Sequence, residues 1–230
     1  MVKGVSGQTA LHCVLECDYK FDYNKFFCSQ IAELLLEHMA VVDIQDILGY
    51  TPLMWAARWE YPVIVHKLLD RGADVSHADK YYKRNALHWG AFGTARTCNQ
   101  VVASILAHGV QDIDVGDKHG QTALMLVAGN GRRAVVLQFL KEGANANAAN
   151  RNGETALHYV AASKNRGLQF EYTLIMLLRH GADVNIRSRD CFAPLTLAIR
   201  SNRMFMAKIL LDHGAVVWNR AGRGVYQTPS

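Results

Sequence analysis

No apolar run in these 230 residues approaches the length needed to cross a bilayer, and no signal-like apolar segment opens the chain. Membrane insertion is therefore not expected. A disulfide framework is also missing. The five cysteines, Cys13, Cys17, Cys28, Cys98 and Cys191, are odd in number and scattered. Cys13 and Cys17 lie four apart on one helical face, a poor geometry for a bridge. A reducing intracellular compartment, cytoplasmic or nuclear, is the expected setting. Charge of one sign is scarce too: the net charge of +5 and pI of 9.0 come from Lys and Arg spread through the whole chain. Nucleic-acid binders gather them on one face, so this excess is only a bias toward acidic partners. No glycine-rich phosphate loop of Walker or dinucleotide type occurs, and Gly129-Asn130-Gly131-Arg132-Arg133 reads as a turn. No cofactor is expected.

What the chain does have is repetition. Thr9-Ala10-Leu11-His12, Thr51-Pro52-Leu53-Met54, Asn85-Ala86-Leu87-His88, Thr122-Ala123-Leu124-Met125, Thr155-Ala156-Leu157-His158 and Ala193-Pro194-Leu195-Thr196 are variants of one phrase. Their leucines stand 42, 34, 37, 33 and 38 residues apart. A base period of about 33 with insertions marks a helical solenoid, in which each unit packs only on its neighbours. The second unit shows the pattern. Thr51 caps a short helix that opens on Pro52, a residue tolerated there because its missing N–H would be unpaired anyway. Val63, Val65, Leu68 and Leu69 make the apolar face of a second helix, and Gly72 stops it. The second-helix cores recur at Ile31, Leu34 and Leu35, at Val135, Val136, Phe139 and Leu140, and at Ile209, Leu210 and Leu211. The odd repeats are longer between anchor Leu and stop, which places enlarged inter-helix loops near Asp18–Phe27, Thr94–Thr97 and Lys164–Leu168.

The phrases Gly49-Tyr50-Thr51-Pro52-Leu53, Gly72-Ala73-Asp74-Val75, Gly153-Glu154-Thr155-Ala156-Leu157-His158 and Gly181-Ala182-Asp183-Val184-Asn185 resemble ankyrin repeats over essentially the whole chain. The resemblance implies an all-α solenoid of paired antiparallel helices with β-hairpin fingers. A single array over 1–230 is expected, with units at about 1–40, 41–73, 74–110, 111–144, 145–182 and 183–215. Residues 216–230 would be a C-terminal tail or partial finger. Four departures stand out: Met39 in place of the stop Gly, Lys83 and Cys191 in place of the turn Gly, and Ala193 in place of the capping Thr. The abrupt first and last units suggest a segment of a longer protein.

Catalytic chemistry finds little support. His12, His88 and His158 share one slot of the repeat and are expected to bond nearby backbone within it. His38, His108, His180 and His213 fall at second-helix C-termini, where a cationic side chain suits the helix dipole. For His12, His88 and His158 no carboxylate or Cys partner completes a metal site: Cys13 and Cys17 with His12 make half a zinc site without a second paired set, so core packing is preferred and neither a metal site nor an enzyme is expected. Asn185 resembles the asparagine that ankyrin repeats offer to an asparaginyl hydroxylase, and Asn147 is a poorer match. Satisfying the finger's own backbone is the preferred role for Asn185.

The resemblance also implies partner binding on the concave face, through the residues flanking each turn Gly and those at the end of each first helix. These are Ile47, Leu48, Tyr50, Arg58 and Trp59 in repeat two, and Tyr81, Tyr82, Arg84 and Phe92 in repeat three. Lys118 and His119 follow in repeat four, Arg151 in repeat five, and Arg189, Phe192 and Arg200 in repeat six. Aromatic rings concentrate in repeats two and three, as in interface hot spots. Such rings can also pack on adjacent fingers or cover the aromatic insertion Tyr19–Phe27. The function expected is a non-enzymatic protein-interaction module whose partner offers an acidic or apolar peptide segment. Nucleotide or nucleic-acid binding by base stacking on the same rings is one alternative. A structural or regulatory arm of a larger enzyme or channel is the other.

Overall fold

Each repeated phrase starts a helix, and in repeats two, three and four its cap residue gives a free backbone N–H a side-chain partner, which Ala193 in repeat six does not. In the computed structural model, Thr51 and Thr122 accept from the backbone N–H of Met54 and Met125, and Asn85 from His88. Residues 7–16, 22–38, 41–93, 95–165, 167–218 and 224–225 are described. Cys17, Met39, Thr94, Tyr19–Phe21 of the insertion and most of the tail lie outside them. The first helices of the six repeats are α1 (Ala10–Leu15), α3 (Pro52–Arg58), α5 (Ala86–Gly90), α7 (Ala123–Gly129), α9 (Ala156–Ala162) and α11 (Pro194–Arg200). The second helices are α2 (Asp22–Glu37), α4 (Pro62–Asp70), α6 (Ala95–Ala107), α8 (Arg133–Lys141), α10 (Leu168–Arg179) and α12 (Met204–Asp212).

Two compact units divide the chain, residues 1–112 with 116–118, and residues 113–115 with 119–230. In the first, α1, α3 and α5 form one row and α2, α4 and α6 the other. In the second, α7, α9 and α11 form one row and α8, α10 and α12 the other. The core lies between the rows, where Leu53, Ile64, Leu68 and Leu87 in the first unit, and Leu124, Phe139, Leu157 and Phe170 in the second, are fully buried.

In repeats two, four and six the inter-helix turn is the same. Glu60, Gly131 and Asn202 take left-handed φ of 61°, 66° and 53°. The N–H of Tyr61, Arg132 and Arg203 then closes on the carbonyl of Ala56, Val127 and Ala198, each at 2.9 Å. The odd repeats keep longer inter-helix connections, 6, 4 and 5 residues against 3 in the even repeats, as expected, but these do not hold the whole of each insertion. Their insertions continue the second helix backward, so α2, α6 and α10 have 16, 13 and 12 residues against 9 in each of α4, α8 and α12. An extra turn of helix pairs its own backbone, whereas a loop of that length would leave polar groups to satisfy.

The register of several second helices also differs from the sequence reading. In α2 the buried stripe is Cys28, Ala32 and Leu36, at four-residue spacing, while Ile31 and Leu34 point outward. In α4 the inward residue is Ile64 and Val63 is exposed; in α12 Met206, Ala207 and Leu210 are buried while Leu211 is exposed. Burial follows helical phase rather than hydrophobicity alone, so Ala32 and Ala207 are buried while Ile31 and Leu211 are not.

The fingers are tight reverse turns closed by Asp46 N–H to Tyr50 O, Asp79 to Arg84, Asn150 to Glu154 and Ser188 to Phe192. Within each unit they are joined finger to finger, Lys80 N–H to Leu48 O and Lys118 to Tyr82 in the first, Arg151 to His119 and Arg189 to Asn152 in the second. Among the described residues, strand pairing occurs only between β1 (Val217–Trp218) and β2 (Gly224–Val225), antiparallel with Val217 opposite Val225. Lys83 and Cys191, which replace the turn Gly, nonetheless adopt left-handed φ of 57° and 62°.

The slot histidines His12 and His158 reach further than one repeat. Nδ1 of His12 accepts the N–H of Thr9, and Nε2–H donates to the carbonyl of Tyr50 in the next finger at 3.0 Å. His158 does the same between Thr155 and Phe192. The C-terminal histidines turn inward on their own helices: Nδ1–H of His38, His108, His180 and His213 donates to the carbonyls of Leu34, Ser104, Met176 and Ile209 at 2.7–2.8 Å.

Two predictions follow from the backbone and the buried imidazole. A left-handed non-Gly residue costs about 1–2 kcal/mol, and Gly returns about half of that through its freer unfolded chain. Lys83→Gly and Cys191→Gly should therefore each stabilise by about 0.5–1 kcal/mol in urea denaturation. For His158, burial holds the imidazole below its ordinary value, against the opposing effect of the Phe192 carbonyl. The unfolded chain then binds more protons on the acid side of about pH 6.5, so stability should fall as pH drops through that range and recover toward neutrality. Denaturation of wild type and His158→Gln at several pH values tests this, the variant showing the shallower dependence.

Candidate binding face in the first unit

The face is built from a buried carboxylate in each finger. Asp46 Oδ1 accepts the N–H groups of Leu48 and Tyr50, both at 2.9 Å. Asp79 accepts from Tyr81 and Tyr82 through Oδ1 and from Arg84 through Oδ2, and is fully buried. Neither carboxylate was singled out by sequence reasoning, although Asp46, Asp79, Asp117, Asn150 and Ser188 recur at one place of the repeat. With its backbone collected inward, each finger turns its tip side chains out: Ile47, Leu48 and Tyr81 are more than half exposed.

Behind the tips lies a continuous layer of rings and cations. Tyr50 packs on Trp55 and Trp89 at centroid distances of 5.1 and 5.4 Å, Trp55 stacks on Trp59, and Trp89 meets Phe92 at 5.8 Å. The Arg58 guanidinium lies 4.8 Å over Trp59 and 4.5 Å over Trp89. Arg84 lies over Tyr82 and Phe92, and its Nε and Nη2 both reach Asp117 Oδ2 at 3.0 Å. Lys118 Nζ sits 3.8 Å from the Tyr81 ring centroid. Two open grooves result. One of about 460 Å³ is lined by Tyr50, Arg58, Tyr82, Arg84, Trp89 and Phe92. The other, about 500 Å³, shares Tyr50 and Arg58 and adds Ile47, Leu48, Trp55 and Trp59. Burial, with the Asp79 carboxylate next in weight, pushes the Tyr50 phenol up to about 12, so it remains a hydrogen-bond donor at neutral pH.

The structure thus brings together Ile47, Leu48, Tyr50, Arg58, Trp59, Tyr81, Tyr82, Arg84, Phe92 and Lys118. The two readings of the rings divide between residues: Tyr81 projects, whereas Tyr50, Trp59 and Tyr82 are half-buried against their neighbours. Trp55 and Trp89, which form the floor, were missed because buried rings give no signal distinct from core. Their Nε1–H groups find no acceptor among the described residues, an uncommon state for a buried donor.

In the second unit His119, Arg151 and Arg189 are exposed, and Arg200 lies 4.6 Å over the half-buried Phe192. Asn185 is engaged at both ends of its amide. Nδ2–H donates to Gly214 O, and Oδ1 accepts from Val216 N–H. Asn147 makes the same two bonds with Gly181 and Asp183.

Arg84 shows which cation is structural. Its side chain is 13% exposed and that of Asp117 is wholly buried. Breaking a buried pair from one side strands a charge, at a cost of about 3 kcal/mol or more, whereas replacing both partners with apolar groups costs much less. Asp117→Ala should therefore destabilise the first unit by about that amount in urea denaturation. Adding Arg84→Met should recover only the part owed to the stranded charge, because Asp117 also stands at the finger position where Asp46 and Asp79 hold backbone N–H groups; a double-mutant coupling near zero would refute the pairing.

A family model described as "Ankyrin repeats (3 copies)" matches residues 2–79, 28–111, 64–149, 87–188 and 124–221. The chain is 37% identical over 134 residues to transient receptor potential cation channel subfamily A member 1 of Homo sapiens, covering 57% of this chain and 11% of the channel. It is 34% identical over 149 residues to palmitoyltransferase AKR1 of Lachancea kluyveri, 64% of this chain and 19% of that protein. It is 27% identical over 175 residues to the B-cell lymphoma 3 protein homolog of Mus musculus, 76% of this chain and 38% of that protein. The chain thus spans well under half the length of these relatives. Among solved structures, an ankyrin repeat domain from Acinetobacter baumannii AYE matches with a TM-score of 0.73 and 26% identity, over 89% of this chain and 97% of that one. No helix among the described residues is long and apolar enough to cross a membrane. Repeats of this kind generally mediate protein–protein interaction and are typically non-enzymatic modules. The paired helices, the finger turns and the family match place the chain in the ankyrin repeat family.

Proposed function

We propose that the chain is a non-enzymatic protein-interaction module, and that its first unit seats a partner segment carrying one apolar anchor flanked by acidic residues. The observation that carries this reading is the half-buried Arg58 guanidinium held over the rings of Trp59 and Trp89 at the junction of the two grooves. A guanidinium placed on aromatic rings keeps its N–H donors for a planar anion, which Arg recognises with paired hydrogen bonds. Ile47, Leu48 and Tyr81 around it offer apolar contact area that water does not favour. Arg84 belongs to the same layer, but its charge is balanced by Asp117; it shapes the groove rather than adding free charge.

Base stacking on the same rings is less well served, because cations already lie over the rings of Trp59, Trp89, Tyr82 and Phe92. A protein ligand of this kind also predicts a shallow salt dependence, where phosphate contacts predict a steep one. A spacer or regulatory arm of a larger protein would have no independent ligand at all.

The test is a display library of short peptides that vary acidic content and the number of large apolar residues. Acidic peptides with a single large apolar residue should be enriched. Tyr81→Ala and Arg58→Ala should each weaken the selected peptide about ten- to thirtyfold, the range of interface hot spots. Trp59 is less suited to substitution because it stacks on buried Trp55. Enrichment of basic or uncharged peptides, or affinity unchanged in both folded variants, would sink the proposal.

A further inference from the structure

A second site lies on the second helices of the first unit and shares no residue with the grooves. In α4, His66 and Asp70 are four residues apart and so stand one above the other on one face. The neighbouring helix α6 packs beside α4 and ends just before His108. The His108 ring is fixed from behind, because its Nδ1–H donates to the Ser104 carbonyl at 2.8 Å. That bond leaves Nε2 facing outward, and Nε2 meets Asp70 Oδ1 at 3.2 Å. On the other side of the same carboxylate, His66 Nε2 stands 3.5 Å from Asp70 Oδ2. The two imidazoles are 5.8 Å apart, edge to face.

The chemistry of this arrangement asks for a cation. A neutral imidazole that donates through Nδ1 has a lone pair on Nε2, and a carboxylate oxygen opposite it has only lone pairs as well. The contact is favourable when a positive centre, a proton on Nε2 or a metal ion, sits between them. A backbone carbonyl on the far nitrogen is also the outer-shell partner that orients histidine as a metal ligand. Tetrahedral zinc holds its ligand atoms about 3.3 Å apart; the separations here, 3.2 Å to Oδ1 and 3.5 Å to Oδ2, run to different carboxylate oxygens, so the Asp70 carboxylate turns to bring one oxygen toward both rings. One ligand atom from each of the three side chains lies within 4.8 Å of the others. The side chains of His66 and Asp70 are more than half exposed and free to close the remaining distance. Lys67, the nearest cation in sequence on α4, is held by Glu33 at 2.6 Å.

We propose that His66, Asp70 and His108 form a surface site for a first-row divalent metal ion of the zinc type, which clamps α4 to α6 and so joins repeats two and three. Two imidazole nitrogens and a carboxylate suit zinc, nickel or copper, and do not suit magnesium, which takes oxygen ligands and keeps its water. Water completes the coordination, and the ion's role is structural.

The full chain, stripped of metal with chelator and then titrated with zinc in a calorimeter, should bind one equivalent at this site, with no response to magnesium. Zinc at about 100 times its dissociation constant should raise the unfolding midpoint of the first unit by about 5–10 °C. His66→Asn and His108→Asn, whose folding is checked by circular dichroism, should each weaken binding at least tenfold and abolish the shift. Should a variant fail to fold, cobalt(II) added to the wild-type chain reports instead: ligand-field bands of a nitrogen-containing site, with broadening of the His66 and His108 ring resonances, support the proposal. No saturable zinc binding, binding that survives both substitutions, or cobalt broadening confined to other histidines overturns it.

Discussion

A buried side-chain oxygen at the base of each finger is the interaction on which the rest of the array depends. A repeat of two short helices cannot bury its apolar face alone, so it folds only when its neighbour is in register. Asp46, Asp79 and Asn150 impose that register: each is buried and must be satisfied, and each is satisfied by the N–H groups of its own finger. The finger is thereby bent so that its carbonyl reaches the next finger's backbone, as Leu48 does with Lys80 and His119 with Arg151. The left-handed turn residue is a consequence of the same bend. At Gly49 a Cβ would come within 2.9–3.0 Å of Lys80, so close approach of the next finger, as well as φ, favours Gly there. Histidine adds a second tie between repeats, from Nε2–H of His12 and His158 to the carbonyl of the following finger.

Because the backbone of each finger is already satisfied, what it can offer a partner is side-chain chemistry. That explains why composition at the tips can vary while the turn persists: Ile47 and Leu48 at one finger, Tyr81 and Tyr82 at the next, Arg151 and Asn152 further on. In the first unit the outcome is an apolar and aromatic face with cations laid over it. Each stacked cation adds about 0.5–1 kcal/mol at an exposed site and more when desolvated, too little to hold the fold. Its effect is on orientation, since a guanidinium held over a ring loses less freedom when it binds than one on a free chain.

Much of this was legible in one dimension. Capping Thr, stop Gly and anchor Leu are local signals, and each marks an element end that the structure shows, such as Thr51 before α3 and Gly72 after α4. The misreadings arose where a neighbour decides. Ile31 and Leu34 have the hydrophobicity of core but lie off the four-residue stripe of Cys28, Ala32 and Leu36 that α2 buries. The odd-repeat insertions looked like loops because their anchors lie farther apart, yet part of each continues the second helix, the conformation that satisfies its backbone. Trp55 and Trp89 gave no sign of forming a groove floor, and His66, Asp70 and His108 gave none of convergence. The first two of those three are a helical turn apart, but the third arrives through the packing of a different repeat.

The two candidate sites use different elements of the same repeats, and this bounds how far they can influence one another. Grooves are lined by fingers, first helices and residues just beyond them; the histidine–carboxylate triad sits on α4 and at the end of α6. An ion at the triad touches none of the groove side chains, so it cannot alter partner affinity by contact. Coupling requires that the spacing of α4 and α6 differ between free and bound forms, for a ligand shifts an equilibrium only by its differential affinity for the two states. In a tightly bonded pair of repeats that difference is small, and the ion then adds stability without adding regulation. In a pair that breathes, holding α4 to α6 also holds α3 to α5, which pack on them, and with them the rings of Trp55 and Trp89 on the groove floor.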